Sequence, residues 1–228
     1  MRISGIEKLS LVDYPGYCCA VLFTGGCNFL CPFCHNSGLV VQEHQILDND
    51  EIMTFLRKRY GMLEAVVISG GEPTLQHDLI DFIREIKEIG YKVKLDTNGT
   101  NPKVLKKIVD EGLVDYVAMD IKNAFDKYPE ITGKPQVDIH KIRESVEILK
   151  SGGVDYEFRT TLVREYHDIE AIRTMAQDIS GAKRVYLQHF VDNDSCISAG
   201  LSDIKKEEAE EYKEILAGCI DEVCLRGY

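Results

Sequence analysis

Three cysteines, Cys27, Cys31 and Cys34, share one short loop that follows a pair of glycines. Cubane iron–sulfur clusters are normally held by four thiolates. A compact loop with three thiolates would leave one iron free to bind another molecule, as catalytic metal sites keep a coordination position open. The spacing of the cysteines therefore predicts a reactive metal centre rather than a merely structural one.

The elements that must position this loop alternate along the chain. From residue 18 onward, short β-branched segments alternate with amphipathic segments, which is typical of the βα units of a parallel sheet. Strands are predicted near Cys18–Phe23, Ala65–Ser69, Lys92–Asp96, Tyr116–Asp120, Tyr156–Thr161 and Arg184–His189. Helices are predicted near Asp50–Tyr60, Asp78–Ile89, Pro102–Glu111, Ile139–Lys150, Ile169–Ile179 and Lys205–Gly218. The last apolar segment, Glu222–Leu225, is predicted to add an edge strand.

The six βα units are fewer than the eight of a closed barrel, whose typical size is about 250 residues. We therefore expect the α/β class, with residues 1–228 forming one domain that is an incomplete (β/α)6 TIM-like barrel. Its open side could admit a large partner. The longest irregular segment, Asn123–Asp138, contains two prolines and a glycine and is predicted to be a functional loop over the top face.

Polar residues follow each predicted strand, at the edge where parallel βα folds place the active site. After the cysteine loop of the first unit come the segments Ser69–Pro73, Asp96–Gly99, Asp120–Lys122, Arg159–Thr161 and Gln188–His189. Taken alone, Gly70–Pro73 and Asp96–Gly99 could be ordinary turns, and Asp120–Lys122 could be a surface ion pair. Their common location at one face is what favours a functional site.

The composition limits the class of partner. The chain has 228 residues, with 27 Lys and Arg against 38 Asp and Glu, and a formal net charge of -11. A protein that binds phosphate backbones needs a concentrated basic face, so we expect no nucleic-acid partner. The first residues, Met1–Gly5, lack the apolar stretch of a secretory signal, and no long apolar run predicts a membrane span. We expect a cytoplasmic protein whose clustered cysteines bind metal rather than form disulfides.

The motifs resemble those of the radical S-adenosylmethionine (SAM) enzymes. The loop Cys27–Cys34 matches their CxxxCxxC motif, and Gly70–Pro73 matches the GGEP segment after their second strand. The stretch Ile6–Gly16, together with Gly26–Asn28 and Cys34–Asn36, is similar to the activating proteins of anaerobic ribonucleotide reductases, which are relatives of pyruvate formate-lyase activases. The resemblance covers nearly the whole chain.

The resemblance implies a [4Fe–4S] cluster on the three cysteine thiolates, with the fourth iron chelated by the amino and carboxylate groups of SAM. Reductive cleavage of SAM would give methionine and a 5'-deoxyadenosyl radical. This radical would take a hydrogen atom from a glycine of a partner glycyl radical enzyme. The resemblance favours anaerobic ribonucleotide reductase as that partner, with flavodoxin or ferredoxin as the electron donor.

The resemblance also implies contacts with SAM at the second and sixth strand ends. Gly70 and Gly71 would let the backbone approach the SAM amino group because glycine lacks a Cβ, and Glu72 belongs to the same segment. His189, at the end of the sixth predicted strand, would lie against the adenine ring.

The resemblance also implies that polar and charged side chains at the third, fourth and fifth strand ends bind SAM. Asp96, Thr97 and Asp120 resemble the positions that gather the methionyl end of SAM and a monovalent cation in formate-lyase activases. Lys122 would balance the SAM carboxylate, and Arg159 would offer a second, planar donor to an anionic group.

Other functions share parts of this pattern. The string Cys31–His35 is also a CxxCH motif for c-type haem, but haem attachment would require an exported chain and would leave Cys27 unexplained. A zinc site would need His35 or His44 as its fourth ligand, and a structural zinc or electron-transfer protein would cleave no SAM.

Activation of pyruvate formate-lyase or another glycyl radical enzyme stays open. So does a small-molecule radical reaction, as in 7-carboxy-7-deazaguanine synthase.

The remaining cysteines and three histidines have no predicted role in the site. Cys18 and Cys19 are expected to be small buried residues of the first strand. No role is assigned to Cys196, Cys219 and Cys224. Solvated positions on or beside helices are predicted for His77, His140 and His167.

Overall fold

One sheet of eight strands organises the fold. The computed structural model describes residues 1–41 and 45–228, and across them the strands lie side by side in chain order. The strands are β1 (Ile3–Ser10), β2 (Cys19–Thr24), β3 (Ala65–Gly70), β4 (Lys92–Thr97), β5 (Tyr116–Asp120), β6 (Asp155–Leu162), β7 (Arg184–His189) and β8 (Glu222–Arg226). Strands β2 to β8 run parallel, whereas β1 is antiparallel to β2. This arrangement confirms the predicted incomplete TIM-like barrel and the predicted edge strand β8.

Helices connect the parallel strands. They are α1 (Ser37–Val41), α2 (Asn49–Arg59), α3 (Leu79–Ile89), α4 (Pro102–Asp110), α5 (Tyr128–Ile131), α6 (Ile139–Lys150), α7 (Ile169–Asp178) and α8 (Lys206–Ala217). In α3, the buried residues Leu79, Phe82, Ile83 and Ile86 have the spacing of an amphipathic helix face. The predicted strands and helices are confirmed to within one residue at either end. No helix in the described part of the chain is long and apolar enough to cross a membrane.

Strand β1 is missing from the sequence prediction, which begins at residue 18. Ile3 and Ser10 are buried at its two ends, but the residues between them are half-buried or exposed. An edge strand with one neighbour has little hydrophobic alternation to reveal it. The pairing with β2 is also irregular between Glu7 and Ser10, which weakens the period-two signal further.

The segment Asn123–Asp138 is more regular than predicted. It contains a 3-10 turn at Phe125–Lys127, followed directly by α5. Tyr128 and Ile131 of α5 are buried. The prediction of a wholly irregular loop is therefore wrong, because Pro129 lies in the first turn of α5, where its missing N–H removes no helical hydrogen bond.

The two faces of the sheet have different surroundings. The main hydrophobic core contains the apolar residues that α2 to α8 present to the sheet, whereas a smaller separate cluster surrounds Tyr14, Cys19 and Tyr116. Because successive strand residues point to opposite faces, Lys94 shares the face of its cross-strand neighbour Tyr116. Asp96, two residues further along β4, lies on the same face. The interior of the barrel therefore becomes charged toward the carboxyl ends of the strands.

Candidate active site

An open cavity of about 430 Å³ lies at the carboxyl ends of the strands. Most of the site residues implied by the sequence line it, namely Cys27, Cys31, Cys34, Gly70, Gly71, Asp96, Thr97, Asp120, Lys122 and Arg159. Glu72 and His189 lie outside this lining. The fold thus brings the cysteine loop and the charged strand ends to one cavity, as their common location in the βα pattern predicts.

Backbone hydrogen bonds attach the cysteine loop to two neighbouring segments. The N–H of Glu72 donates to the Gly26 carbonyl at 2.8 Å, directly before the first cysteine. The N–H of Leu30 donates to the Thr132 carbonyl at 2.8 Å, just after α5. These contacts fix the backbone on either side of Cys27, so the cysteine positions depend on the turns after β3 and α5.

Two glycines allow the turn after β3 to approach the cysteine loop. A Cβ at Gly70 would lie 2.2 Å from the backbone N of Thr24, and a Cβ at Gly71 would lie 1.9 Å from the carbonyl oxygen of Gly26. Neither contact is sterically possible. Gly70 also has a φ of 116°, a region that residues with a Cβ rarely adopt. The close packing of these two backbones therefore requires glycine at both positions.

Glu72 joins two turns beneath the cavity. Its side chain is fully buried and accepts hydrogen bonds from the Thr74 N–H at 3.0 Å, the Thr97 hydroxyl at 2.7 Å and the Asn98 N–H at 2.7 Å. Burial raises the pKa of Glu72, although these donors oppose the shift. The carboxylate thus holds the turns after β3 and β4 in a fixed relation.

The turn after β4 also contacts the first cysteine. The Asn98 amide nitrogen lies 3.9 Å from the sulfur of Cys27 and donates to the side-chain oxygen of Asn28 at 2.9 Å. The backbone N–H of Phe29 lies 3.4 Å from the same sulfur. Two N–H groups are therefore directed at Cys27, which suits a sulfur that carries negative charge.

Burial affects all three cysteines of the loop. It raises the pKa of Cys27 to about 12 and that of Cys31 to about 11, and it raises the pKa of Cys34 as well. The thiolate is the form that binds metal. Metal binding at this loop must therefore displace protons from the buried thiols.

Two carboxylates and an arginine form the centre of the charged network. Arg159 donates from Nε to Asp120 at 2.9 Å and from Nη1 to Asp96 at 3.3 Å. Burial raises the pKa of Asp120, but the charges of Arg159 and Lys122 outweigh it and hold the pKa at about 2. Burial also raises the pKa of Asp96, but the positive charges of Arg159 and Lys94 outweigh burial and lower this pKa overall. Both carboxylates are therefore ionised at neutral pH.

Lys122 connects the charged network to the cysteine loop. Its ammonium donates to Asp120 at 3.0 Å and lies 5.9 Å from the centre of the Phe33 ring. Burial lowers the pKa of Lys122, but the negative charge of Asp120 outweighs burial, so the pKa is raised overall. Lys122 therefore presents a fixed positive charge between the carboxylates and the cysteines.

Sequence reasoning missed Ser69, Asn98 and Lys94, which contact Asp96 or Cys27. Ser69 and Asn98 line the cavity and lie inside the turns that the sequence singles out, so their polar side chains were an available signal. Lys94 is different because it lies within β4 and not at its end. Its only signal is a charge between the apolar residues Val93 and Leu95.

His189 contacts residues from the carboxyl-terminal part of the chain. Its Nε2 lies 3.1 Å from a carboxylate oxygen of Asp203, and its ring centre lies 4.7 Å from that of Tyr228. Gly227 also packs close to it, since a Cβ there would lie 3.3 Å from the Cβ of His189. These contacts account for the position of the histidine outside the cavity lining.

His167 is buried, so the prediction that it is solvated is wrong. Only 2% of its surface is exposed. Its Nδ1 accepts from the Val163 N–H at 3.1 Å, and its Nε2 donates to the Lys122 carbonyl at 2.9 Å. The histidine thus attaches the backbone of Lys122 to the loop after β6, a tertiary role that helical periodicity does not reveal.

The zinc alternative depends partly on a residue that the structure does not describe. His44 lies outside the described residues. The Nε2 of His35 lies 2.9 Å from the Val191 carbonyl, and its ring stacks on Phe190. Within residues 1–41 and 45–228, no group of three or more His, Cys, Asp or Glu side chains could hold one metal ion. A cubane cluster differs from a single ion, because each of its thiolates binds a different iron.

The other five cysteines lie apart from the three-cysteine loop in sequence, and all eight are free thiols. Cys19 is fully buried in β2, as predicted, and Cys18 is half-buried. Cys196 lies in a loop that reaches the cysteine loop, because the Ser198 N–H donates to the Pro32 carbonyl at 2.8 Å.

Comparisons with known proteins agree with this geometry. The family model described as the radical SAM superfamily matches residues 21–178. A Methanocaldococcus jannaschii protein that is provisionally named a glycyl-radical enzyme activating enzyme is 37% identical over 231 residues, which cover 98% of this chain and 95% of the relative. The pyruvate formate-lyase-activating enzyme of Clostridium pasteurianum is 32% identical over 192 residues, which cover 81% of this chain and 78% of that enzyme.

A solved structure shares the fold. A radical SAM methyltransferase from Sphaerobacter thermophilus matches with a TM-score of 0.76 at 15% identity, over 96% of this chain and 68% of the methyltransferase. At this level of identity, the likeness concerns the fold alone.

Proposed function

Because the chain belongs to the radical SAM superfamily, and within it to the family of glycyl-radical enzyme activating enzymes, we propose that it cleaves SAM reductively and generates a glycyl radical on a partner enzyme. The observation that carries this proposal is a shared cavity. Cys27, Cys31 and Cys34 line the same space as the network of Asp96, Arg159 and Asp120. Residues that can hold a metal centre are thus adjacent to charged residues that suit an amino-acid-like ligand.

The residues present fit a [4Fe–4S] cluster. Three free thiols line one cavity, and the N–H groups of Phe29 and Asn98 are directed at the sulfur of Cys27. Hydrogen bonds of this kind are among the factors that set cluster potentials. When bound, such a cluster supplies the electron that cleaves a carbon–sulfur bond of SAM to give methionine and a 5'-deoxyadenosyl radical.

The charged residues suit the methionyl end of SAM. Lys122 and Arg159 line the cavity with positive charge, and both would attract the SAM carboxylate. Asp96 and Asp120 orient them through ion pairs of 3.3 Å or shorter. The backbone of Gly71 lines the cavity and would contact the SAM amino group. The Thr97 hydroxyl already donates to Glu72, so a contact with SAM would fall to its backbone.

The partner is a protein with a glycine that can lose a hydrogen atom. Anaerobic ribonucleotide reductase is the first candidate, because Ile6–Gly16 is similar to its activating proteins. Pyruvate formate-lyase is the second, since one relative is named as its activase. The eight free thiols suit the reducing cytoplasm, where flavodoxin or ferredoxin would supply the electron.

The decisive experiment is anaerobic. The protein is reconstituted with iron and sulfide, reduced, and mixed with SAM and anaerobic ribonucleotide reductase. We expect a glycyl doublet in the electron paramagnetic resonance spectrum of the reductase and one 5'-deoxyadenosine released for each radical formed. The control is Cys31→Ala, which should assemble no active cluster and give neither product.

Each outcome separates one part of the proposal. Deoxyadenosine without a glycyl doublet would retain SAM cleavage and reject this partner, so pyruvate formate-lyase and small-molecule substrates would be tested next. Neither product from a verified cluster would reject the radical function. Intact SAM cleavage by Cys31→Ala would contradict the assignment of the cysteine loop.

A further inference from the structure

The two carboxylates that the family resemblance assigns to a monovalent cation already have donors on all their oxygens. In Asp96, Oδ1 accepts from the Lys94 ammonium at 2.6 Å, and Oδ2 accepts from the Ser69 hydroxyl at 2.9 Å and from Arg159 at 3.3 Å. In Asp120, Oδ1 accepts from Arg159 at 2.9 Å and Oδ2 from Lys122 at 3.0 Å. These residues do not fit an additional cation between the carboxylates.

Lys94 is the unusual member of this group. Only 2% of its side chain is exposed, and lysine is almost never buried so completely unless it is paired. Its neighbours across the sheet are Val67 and Tyr116, so its ammonium reaches Asp96 from inside the barrel. The ammonium of Lys94 thus provides a positive charge at the Asp96 carboxylate.

The charges of the network are also complete without a metal ion. Lys94, Lys122 and Arg159 contribute three positive charges, and Asp96 and Asp120 contribute two negative charges. One positive charge remains, which the carboxylate of one ligand molecule would balance. A bound potassium or sodium ion would instead add a second unbalanced positive charge beside Lys94 and Arg159, whose side chains are only 2% and 14% exposed, and such poorly solvated charge is costly.

We propose that the Lys94 ammonium takes the place of the monovalent cation, so that this protein binds SAM without potassium or sodium. Lys94 is a positioning residue: it holds the Asp96 carboxylate and, through it, the guanidinium of Arg159. The inference rests on the proposed function, because SAM is the ligand concerned.

The test measures SAM affinity of the reconstituted holoprotein in potassium chloride, sodium chloride and choline chloride at equal ionic strength. We expect the dissociation constant of the wild-type protein to agree within about twofold in the three salts. For Lys94→Met, we expect SAM binding about tenfold weaker in choline chloride, which corresponds to about 1.4 kcal/mol. Potassium should restore much of that affinity, because a small cation can then enter beside Asp96. A merely structural lysine would show no such rescue.

The matched control is Lys92→Met, two residues earlier on β4. The Lys92 ammonium lies 5.2 Å from the centre of the Tyr17 ring, at the opposite end of the strand, so this variant should bind SAM like the wild type in every salt. The wild-type titration tests the inference even if Lys94→Met does not fold.

Two results would overturn this inference without contradicting the proposed function. One is a loss of wild-type SAM affinity of about tenfold or more when choline replaces potassium. The other is a folded Lys94→Met that binds SAM as tightly as the wild type with no salt preference. If the wild-type holoprotein binds SAM in none of the salts, the proposed function fails, and the inference fails with it.

Discussion

The carboxylate of Glu72 accepts a hydrogen bond of 2.7 Å from the backbone N–H of Asn98. The two residues follow different strands, β3 and β4, and the contact is buried. Because Asn98 also reaches the sulfur of Cys27, Glu72 indirectly fixes a donor at the cysteine loop. A residue outside the cavity thus determines the geometry within it.

Replacing Glu72 by Gln should destabilise the protein. The Gln amide would direct an NH2 group at one of the N–H or O–H donors that now face the carboxylate, leaving buried donors without an acceptor. We expect a loss of about 1–3 kcal/mol in the free energy of unfolding, measured by chemical denaturation. The control is Glu85→Gln on the exposed side of α3, which should change little. Equal stability of both variants would contradict the role of Glu72 as a link between the turns.

Replacing Gly71 by Ala should displace the cysteine loop. The added Cβ would lie 1.9 Å from the Gly26 carbonyl oxygen, and both partners are backbone, so one segment must move. We expect destabilisation of about 1–3 kcal/mol or more and a reduced content of iron and sulfide per chain after reconstitution. Gly38→Ala is the control, because a Cβ there has no atom within 4 Å. Full cluster loading in Gly71→Ala would show that the loop tolerates the shift.

Replacing Asn98 by Ala should lower the reduction potential of the bound cluster. The Asn98 amide lies 3.9 Å from the Cys27 sulfur, and N–H donors to cluster sulfurs favour the more negative, reduced state. A potentiometric titration followed by electron paramagnetic resonance measures the change. Asn101→Ala serves as the control, because its amide donates to the Thr74 carbonyl at 2.9 Å instead. Identical potentials for both variants would exclude a direct effect of Asn98 on the cluster.

The strand ends could be predicted from the sequence because two simple signals coincide there. Each parallel strand is a short β-branched segment, and the polar residue that terminates it must lie at the same edge as the others. Asp96 and Asp120 were identified in this way, and the structure places both in the cavity lining. Strand direction alone determines this placement, and the alternation of strands with helices fixes that direction.

The residues that sequence reasoning missed or misplaced depend on side-chain direction. Glu72 follows two cavity-lining glycines, yet it points away from the cavity because Thr74, Thr97 and Asn98 provide its donors. Lys94 is invisible to a search of strand ends, because it reaches Asp96 from within β4. Such contacts depend on how separate turns and strands pack together, and no local pattern encodes that.

A protein in which His167 is replaced by Gln should lose less stability than the wild type when the pH is lowered. Burial lowers the pKa of His167 below its ordinary value of 6.5, although hydrogen bonds with Lys122 and Val163 oppose the shift. Between these two pKa values the unfolded chain binds a proton that the folded chain does not, so the free energy of unfolding falls as the pH decreases below about 6.5. Above that pH the contribution is complete.

The measurement is the free energy of unfolding of the apoprotein from pH 8 down to about pH 5. We expect His167→Gln to be less stable than the wild type at pH 8, because the geometry of its contacts with Val163 and Lys122 changes, but to lose less stability on acidification. The exposed His140 supplies the control, and His140→Gln should retain the wild-type pH dependence. A parallel loss of stability in all three proteins would mean that His167 does not stay neutral in the fold.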